Sequence, residues 1–277
     1  MKLAILADIH GNYPALAAVA KHIDRWRPDQ VVVAGDVVNR GPRSLDCWRF
    51  VQARRHSHAW HAISGNHDLF VLKLARDSRP AAGDEEIVRQ NALWTRNQLG
   101  SAVWEITSLA PESSLPAPGG GEARVVHGSM LGNRDNIFPD IPDDELRQKI
   151  APAPELFCCG HTHRPLIRAI DRTLAVNVGS VGAPFDGDPR ACYAQLEWRQ
   201  GRWQATLVRL KYDRARAQRD FQTSGFLDES GPAAQLLYAE FQSAHPHLNT
   251  WARRFREAIL SGVLTPAEAV AKYLSSL

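Results

Sequence analysis

Several short apolar runs in this 277-residue chain end in residues that commonly bind metal ions. The runs have the length of buried strands, and between the first three lie segments with helical spacing, 13–26 and 44–55. This strand–helix–strand order predicts a mainly parallel sheet covered by helices. Because ligands gather at the carboxyl ends of such strands, we expect these residues to meet at one edge. The ligand blocks are Asp8-Ile9-His10, Gly35-Asp36, Gly65-Asn66-His67-Asp68, His127-Gly128 and Gly160-His161-Thr162-His163.

The side chains in these blocks predict a site for two transition-metal ions. Residues two apart in extended chain project to the same side, so Asp8 and His10 can share an ion, as can His161 and His163. A mixture of carboxylates, an amide and imidazoles suits manganese, iron or zinc, and we favour manganese. Taken alone, the 161–163 pair could be two surface histidines. The expected ligands are Asp8, His10, Asp36, Asn66, His127, His161 and His163.

The pattern changes after the last ligand block. Closely spaced strand-like segments separated by turns predict antiparallel hairpins, and therefore two sheets face to face in an α/β fold. We expect a main domain at 1–210 and a helical C-terminal extension at 211–277, whose last helix starts near a Thr265/Glu268 capping box. Residues 69–122 are expected to be largely helical, with a break at 80–83. They either cap the site or form a peripheral pair of packing helices.

Composition limits the classes of function. The net charge is +3 and basic residues are scattered, so no strong nucleic-acid-binding surface is expected. The chain shows no membrane-length apolar segment and no leader, and its four cysteines lack disulfide spacing, so we expect a cytoplasmic enzyme. His56, His58 and His61 precede the third strand, and we expect them away from the metals.

The ligand blocks resemble those of the calcineurin-like metallophosphoesterase superfamily, and Asn177-Val178-Gly179-Ser180-Val181-Gly182 is similar to its bacterial phosphodiesterase-like branch. The resemblance implies a four-layer αββα sandwich. It also implies that Asp36 bridges two ions, one held with Asp8, His10 and His163. The other ion would be held with Asn66, His127 and His161.

These residues predict a phosphoesterase that hydrolyses phosphodiesters of small or nucleotide-like molecules, by in-line attack of a metal-bridging hydroxide. His67 is the candidate general acid because it adjoins the ligand Asn66. Asp68 could orient backbone or ligand groups, could cap a helix starting at Leu69, or both. A non-catalytic binding scaffold is the remaining alternative, although every expected ligand is present.

Two further residues are candidates for substrate contact. Arg40 could fork onto phosphoryl oxygens or could be a surface turn residue. In the protein-phosphatase branch an aspartate precedes this arginine, whereas this chain has Asn39; diadenosine-tetraphosphatase-like enzymes share the Arg-Gly-Pro ending. A phosphomonoesterase or a dinucleoside polyphosphate hydrolase is therefore the alternative. Asn12 adjoins His10 and could line the pocket, and the extension could form a homodimer contact.

Overall fold

The computed structural model describes residues 1–57, 60–77, 79 and 84–277, with side chains omitted for 84–87. Its strands form two five-stranded sheets. The first sheet has the order β10-β9-β1-β2-β3, and the second has the order β4-β5-β6-β8-β7. The first contains β1 (Lys2–Leu6), β2 (Gln30–Ala34), β3 (Trp60–Ile63), β9 (Ala191–Arg199) and β10 (Arg202–Leu210). The second contains β4 (Glu112–Pro116), β5 (Glu122–Val126), β6 (Leu156–Cys159), β7 (Leu166–Ile170) and β8 (Thr173–Asn177).

Helices cover the outer faces of both sheets and continue into the C-terminal extension. In the main domain they are α1 (Tyr13–Trp26), α2 (Ser44–Ser57), α3 (Asn66–Arg76), α4 (Asp84–Leu99), a 3-10 helix (Gly100–Ser108) and α5 (Asp143–Lys149). The extension contains α6 (Arg214–Thr223), α7 (Phe226–Glu229), α8 (Ala233–Ser243), α9 (His247–Leu260) and α10 (Pro266–Leu274). None of the helices in the described part of the chain combines the length and apolar composition needed to cross a bilayer.

The alternation of side chains along β1 explains the layering. Leu3 and Ile5 pack between the two sheets, whereas Ala4 and Leu6 face the core beneath α1 and α2. A separate apolar cluster containing Phe157 lies between the second sheet and α5. Each sheet thus buries both faces, and the expected four-layer αββα architecture is confirmed.

The two C-terminal hairpins form as expected but join different sheets. β7 and β8 extend the second sheet, whereas β9 and β10 extend the first through antiparallel pairing of β9 with β1. The sequence did not predict β4, which pairs antiparallel with β5. Its Glu-Ser-Ser-Leu-Pro sequence lacks the β-branched and aromatic residues that favour strands. The expected break at 80–83 lies outside the described residues, as does His58.

The helices after residue 210 pack against both α4 and α1. The extension's own apolar cluster includes Trp251 and Tyr273, and Val88 and Trp94 of α4 pack against it. The Trp94 and Phe226 rings meet edge to face with centroids 5.2 Å apart. The predicted capping box opens α10, where Thr265 Oγ1 accepts a hydrogen bond from the Glu268 backbone N–H at 3.2 Å.

Candidate active site

The loops after β1, β2, β3, β5 and β6 bring all the expected metal ligands together. Nε2 of His163 lies 3.3 Å from Oδ1 of Asp8, and Nε2 of His127 lies 3.2 Å from Oδ2 of Asp36. His10 Nε2 is 3.1 Å from His163 Nε2. Two ligand groups meet the spacing for an ion, namely Asp8/His10/His163 and Asp8/Asp36/His127. The remaining two expected ligands adjoin His127: the Asn66 Oδ1 atom lies 2.9 Å from its Nε2, and the His161 ring centroid lies 5.2 Å from its own.

The charges and bonding of this cluster fit metal ions. Oδ1 of Asp8 and Oδ2 of Asp36 are buried and, apart from the imidazoles beside them, have no hydrogen-bond partner among the described groups. Burying an unpaired carboxylate oxygen is costly, and cations between these oxygens and the imidazoles would satisfy them. The imidazoles are also held from behind, because Nδ1 of His127 lies 2.8 Å from the Ala34 carbonyl and Nδ1 of His163 lies 2.5 Å from that of Ala183. When these Nδ1 atoms donate to the carbonyls, the Nε2 lone pairs face the site.

Much of the site's backbone has a left-handed conformation. Of the eleven described non-glycine residues with positive φ, seven belong to the ligand loops and the adjoining turn. Such conformations cost roughly 1–3 kcal/mol each and persist where the surrounding structure requires them. The seven are Asp8, His10, Asp36, Asn39, Arg40, His161 and His163. The loops are therefore shaped by the requirement that their side chains converge.

Asp68 holds the Asp36 loop in place. Its carboxylate accepts hydrogen bonds from the backbone N–H groups of Asp36 at 2.8 Å, Val37 at 3.0 Å and Val38 at 3.1 Å. It also accepts one from Gly65 N–H at 3.0 Å. Burial, together with the negative charge of Asp36, raises the pKa of Asp68 to about 7. The N-cap expectation was wrong, because α3 begins at Asn66 and Asp68 lies within its first turn, where it bonds the N–H of the cap residue Gly65.

The ligand pair Asp36 and His127 forms a buried ion pair in the absence of metal. Burial alone would lower the pKa of His127, but the charge and hydrogen bonding of Asp36 outweigh it and raise that pKa to about 10. Burial likewise opposes ionisation of Asp36, and His127 and His67 reverse the effect, so the pKa of Asp36 lies well below its usual value. Burial lowers the pKa of His10 and that of His161. The charge of Asp36 thus favours the protonated form of His127.

His67 is oriented by a short chain of hydrogen bonds. Thr95 Oγ1 donates to Asn39 Oδ1 at 3.2 Å, so the Asn39 amide presents Nδ2 to Nδ1 of His67 at 2.9 Å. Nδ1 of His67 then accepts, and its proton resides on Nε2. Burial lowers the pKa of His67 to about 3, with the positive charge of Arg40 adding to the effect. The His67 imidazole is therefore neutral near pH 7.

Arg40 is held by the C-terminal extension. Its Nη2 lies 2.5 Å from Oε2 of Glu240 on α8, and Oε1 of Glu240 accepts from Leu248 N–H at the start of α9 at 2.9 Å. The Arg40 side chain is only 11% exposed, so it is not a surface turn residue. Sequence reasoning missed Glu240. The available signal was a glutamate at helical spacing from the buried Leu236 and Leu237.

Asn12 and the histidines near β3 take structural positions. Asn12 Oδ1 caps α1 by accepting from Ala15 N–H at 3.2 Å, and its Nδ2 donates to the Gly182 carbonyl at 3.0 Å and to Tyr212 at 3.2 Å. The expected substrate contact of Asn12 stays a prediction, although these bonds already use its amide. His56 and His61 line a different cavity near the start of β3.

Two adjoining cavities of about 630 and 700 Å³ lie beside the ligand cluster. The first contains Asp36, His161 and His163, and the second lies along α3 and α4. α9 contributes residues to both. The sequence left open whether the extension covers the sandwich, completes the pocket or forms a dimer contact, because the local signal of α9 is an amphipathic helix. The residues common to both cavities are Arg40, His67, Asn249 and Ala252.

Comparisons with known proteins agree with this geometry. The profile of the calcineurin-like phosphoesterase superfamily domain matches residues 1–201. A metallophosphoesterase from Sphaerobacter thermophilus has a similar structure, with a TM-score of 0.66 and 26% identity over 88% of this chain and 100% of that one. A hypothetical protein from Pyrococcus horikoshii shares the fold, with a TM-score of 0.72 and 20% identity over 86% of this chain and 97% of that one.

Curated sequence relatives include nucleotide hydrolases. A symmetrical bis(5′-nucleosyl)-tetraphosphatase from Haemophilus influenzae is 34% identical over 164 residues, which is 52% of this chain and 58% of that protein. The chain thus spans little more than half of that relative's length. An uncharacterized protein from Methanocaldococcus jannaschii is 25% identical over 76% of this chain and 88% of its own. With the match to residues 1–201 and the strand-end ligand loops together, the chain belongs to the calcineurin-like phosphoesterase superfamily and is a hydrolytic phosphoesterase.

Proposed function

We propose that this phosphoesterase uses two metal ions to hydrolyse phosphodiester bonds in nucleotide-like or small molecules. The observation that carries the proposal is a pair of buried carboxylate oxygens, Asp8 Oδ1 and Asp36 Oδ2, which face imidazole nitrogens and accept no hydrogen bond from any other described group. Two such oxygens, surrounded by imidazoles that can bind metal in their neutral form, would provide ligands for more than one cation. A cavity large enough for a small ester adjoins them directly.

The proposed ligand set is that of the two groups implied by the family resemblance. Asp8, His10, Asp36 and His163 would hold one ion. Asp36 would bridge to the other, whose remaining ligands are Asn66, His127 and His161. The 3.7 Å separation of His10 Nε2 from Asp36 Oδ2 keeps Asp36 within reach of both groups. When bound, the ions would supply water activation at neutral pH and charge neutralisation on phosphoryl oxygens. The mixture of carboxylates, an amide and imidazoles suits manganese, iron or zinc, and manganese is the ion we favour.

The protein's own groups position the ester and the leaving group. His67, as a neutral imidazole, would donate an Nε2–H hydrogen bond to the leaving oxygen, since Asn39 Nδ2 occupies its Nδ1. Arg40 provides a fixed positive charge in the walls of both cavities, and Glu240 limits its movement. The leaving group thus meets a hydrogen-bond donor and a cation already in place.

A second candidate is hydrolysis of dinucleoside polyphosphates. The tetraphosphatase relative and the Arg40-Gly41-Pro42 sequence favour it. A phosphomonoesterase would use the same metal ligands, and a binding scaffold that retains every ligand is the least favoured alternative. The cavity of about 700 Å³ along α3, α4 and α9 gives the larger substrates room beside the ligand cluster.

Turnover of manganese-loaded protein on three esters separates these candidates. We expect bis-p-nitrophenyl phosphate to be hydrolysed faster than p-nitrophenyl phosphate, with diadenosine tetraphosphate as the third substrate. A clear monoester preference would contradict the phosphodiesterase assignment. Absence of turnover on all three, with two metals bound, would favour a scaffold. His61→Ala, at an exposed histidine beside the other cavity, is the control for histidine loss.

Location and assembly complete the proposal. A cytoplasmic setting suits the four buried free cysteines, because an oxidising compartment favours oxidation of free thiols. A homodimer contact through residues 211–277 is the proposed assembly. Fractionation of the native cells tests the first point, and light scattering coupled to gel filtration tests the second.

A further inference from the structure

We infer that Arg164 and Arg253 form a clamp that binds a second, terminal phosphate on the part of the substrate that stays with the scissile phosphorus. The inference rests on the proposed function, because the metal site defines where the scissile phosphate lies. It goes further by assigning a specificity-determining role to two arginines outside the proposed ligand set, and by requiring a charged group on the retained part of the substrate.

Both arginines line the metal cavity, which is the cavity of about 630 Å³ that contains His161 and His163. Arg164 directly follows His163 in the chain, and Arg253 lies on α9 of the C-terminal extension. Neither arginine lines the adjoining cavity of about 700 Å³, whereas His67 lines both cavities. Because His67 is the proposed donor to the leaving oxygen, the arginines lie on the side of the retained group.

The charge of both arginines is available to a ligand. Arg253 forms no hydrogen bond, ion pair or ring contact with any residue that the structure describes. Arg164 donates only through Nε, to the Phe185 carbonyl at 3.2 Å, so its two Nη groups have no acceptor in the described part of the chain. Among the described residues that line the cavity, Asp36 is the single carboxylate, and it is an expected metal ligand. Two such guanidinium groups match the two charges of a terminal phosphate better than the single charge of a carboxylate or a diester.

The Arg164 side chain is held in a defined orientation. Its guanidinium carbon lies 5.8 Å from the centre of the Phe138 ring, and the Phe185 carbonyl fixes its Nε. The Phe185 ring in turn stacks on the His163 imidazole, with centroids 4.3 Å apart and an interplanar angle of 21°. Arg164 is thus tied to the same residue that supports an expected metal ligand. A phosphate bound by its Nη groups would therefore have a fixed position relative to the ligand cluster.

Arg253 supplies the second half of the clamp from a helix whose backbone is fixed. Trp251 and Phe255, on either side of it in the sequence, are buried in the extension's own core. The start of α9 is also held, because Glu240 accepts a hydrogen bond from the Leu248 N–H at 2.9 Å. The Arg253 side chain itself is exposed. Its charge is therefore carried on a rigid helix, while its guanidinium can move onto a ligand in the cavity.

Direct binding of two ligands tests the clamp without depending on turnover. The ligands are thymidine 5′-phosphate and thymidine 3′,5′-bisphosphate, whose nucleoside serves only as a spacer between the two phosphates. Each is titrated calorimetrically into manganese-loaded full-length protein. We expect the wild type to bind the bisphosphate roughly tenfold more tightly, and Arg164→Gln and Arg253→Gln each to reduce this ratio by about threefold or more. Arg254→Gln is the matched control, because Arg254 is an exposed arginine on the same helix that lines neither cavity.

The ratio between the two ligands separates loss of the clamp from general damage, since a misfolded variant loses affinity for both. Should Arg164→Gln lose metal because it adjoins His163, the exposed Arg253 decides the question alone. Equal affinities of the wild type for the two ligands, or a ratio as high in Arg253→Gln as in Arg254→Gln, would overturn the clamp. Turnover of bis-p-nitrophenyl phosphate by the same wild-type preparation tests the proposed function separately, since its absence with an intact preference for the bisphosphate would overturn only that function.

Discussion

Replacing Glu240 with alanine tests whether the extension holds Arg40 by a buried ion pair. The Arg40 and Glu240 side chains are 11% and 3% exposed, and the pair is 2.5 Å apart. Alanine would leave the guanidinium without this partner and the Leu248 N–H without its acceptor. Removing one member of a buried pair costs about 3–5 kcal/mol. For a chain of this size that loss corresponds to a decrease in Tm of roughly 6–20 °C.

The assay is thermal and urea unfolding followed by circular dichroism. Glu240→Gln, which keeps the shape and one acceptor, should cost less, about 1.5–3 kcal/mol. Glu257→Ala is the matched control, because Glu257 is an exposed glutamate on α9, where a substitution changes stability by about 0.5 kcal/mol or less. A loss below about 1 kcal/mol in Glu240→Ala would refute the assigned energetic role of the pair.

Four further predictions concern the metal site. Metal binding at pH 7.5 should release about one proton, because His127 is protonated below its raised pKa of about 10 and must be neutral to bind an ion. Calorimetry in two buffers of different ionisation heat measures the number of protons released. Binding without proton release would contradict this prediction. The same raised pKa gives the metal-free protein stability that is full below about pH 6.5 and lost as the pH rises through 10, which pH-dependent unfolding tests. His67→Ala should lower kcat by about 10²–10⁴ with metal content unchanged by elemental analysis, and wild-type rates would remove His67 from the mechanism. Gly65→Ala should lower metal content, because its Cβ would lie 2.0 Å from Asp36 Oδ1, and full metal occupancy in that variant would show that the loop can adjust.

The sequence predicted the strands and ligands that depend on local pattern. β1 and β2 are continuous apolar runs, and the expected ligands follow each run directly. One local pattern therefore predicted both where the strand lies and where its ligands lie. The hairpin β9–β10 was also predicted, but the sheet it joins was not. Its neighbour β1 is far away in the sequence, and no local pattern specifies which sheet edge a hairpin will pair with.

The contribution of the extension to the site could not be predicted for a related reason. Glu240 and Arg256 belong to amphipathic helices. Their apolar pattern predicts which helix face is buried, but it does not predict which part of the protein covers that face. Their meeting with Arg40 and Lys73 depends on how α8 and α9 pack over α3 and α4. The orienting role of Asn39 needed the position of Thr95 as well, since the hydroxyl decides which end of the amide faces His67.

The placement of α9 also bears on how specificity can diverge among related enzymes. All the proposed metal ligands precede residue 164, while one side of the two cavities is contributed by residues from 246 onward. Exchanging that last segment for another would keep the proposed ligands and change the wall that an ester contacts. Relatives with the same ligand blocks can therefore differ in the esters they hydrolyse, and we expect the cause to lie in their C-terminal segments.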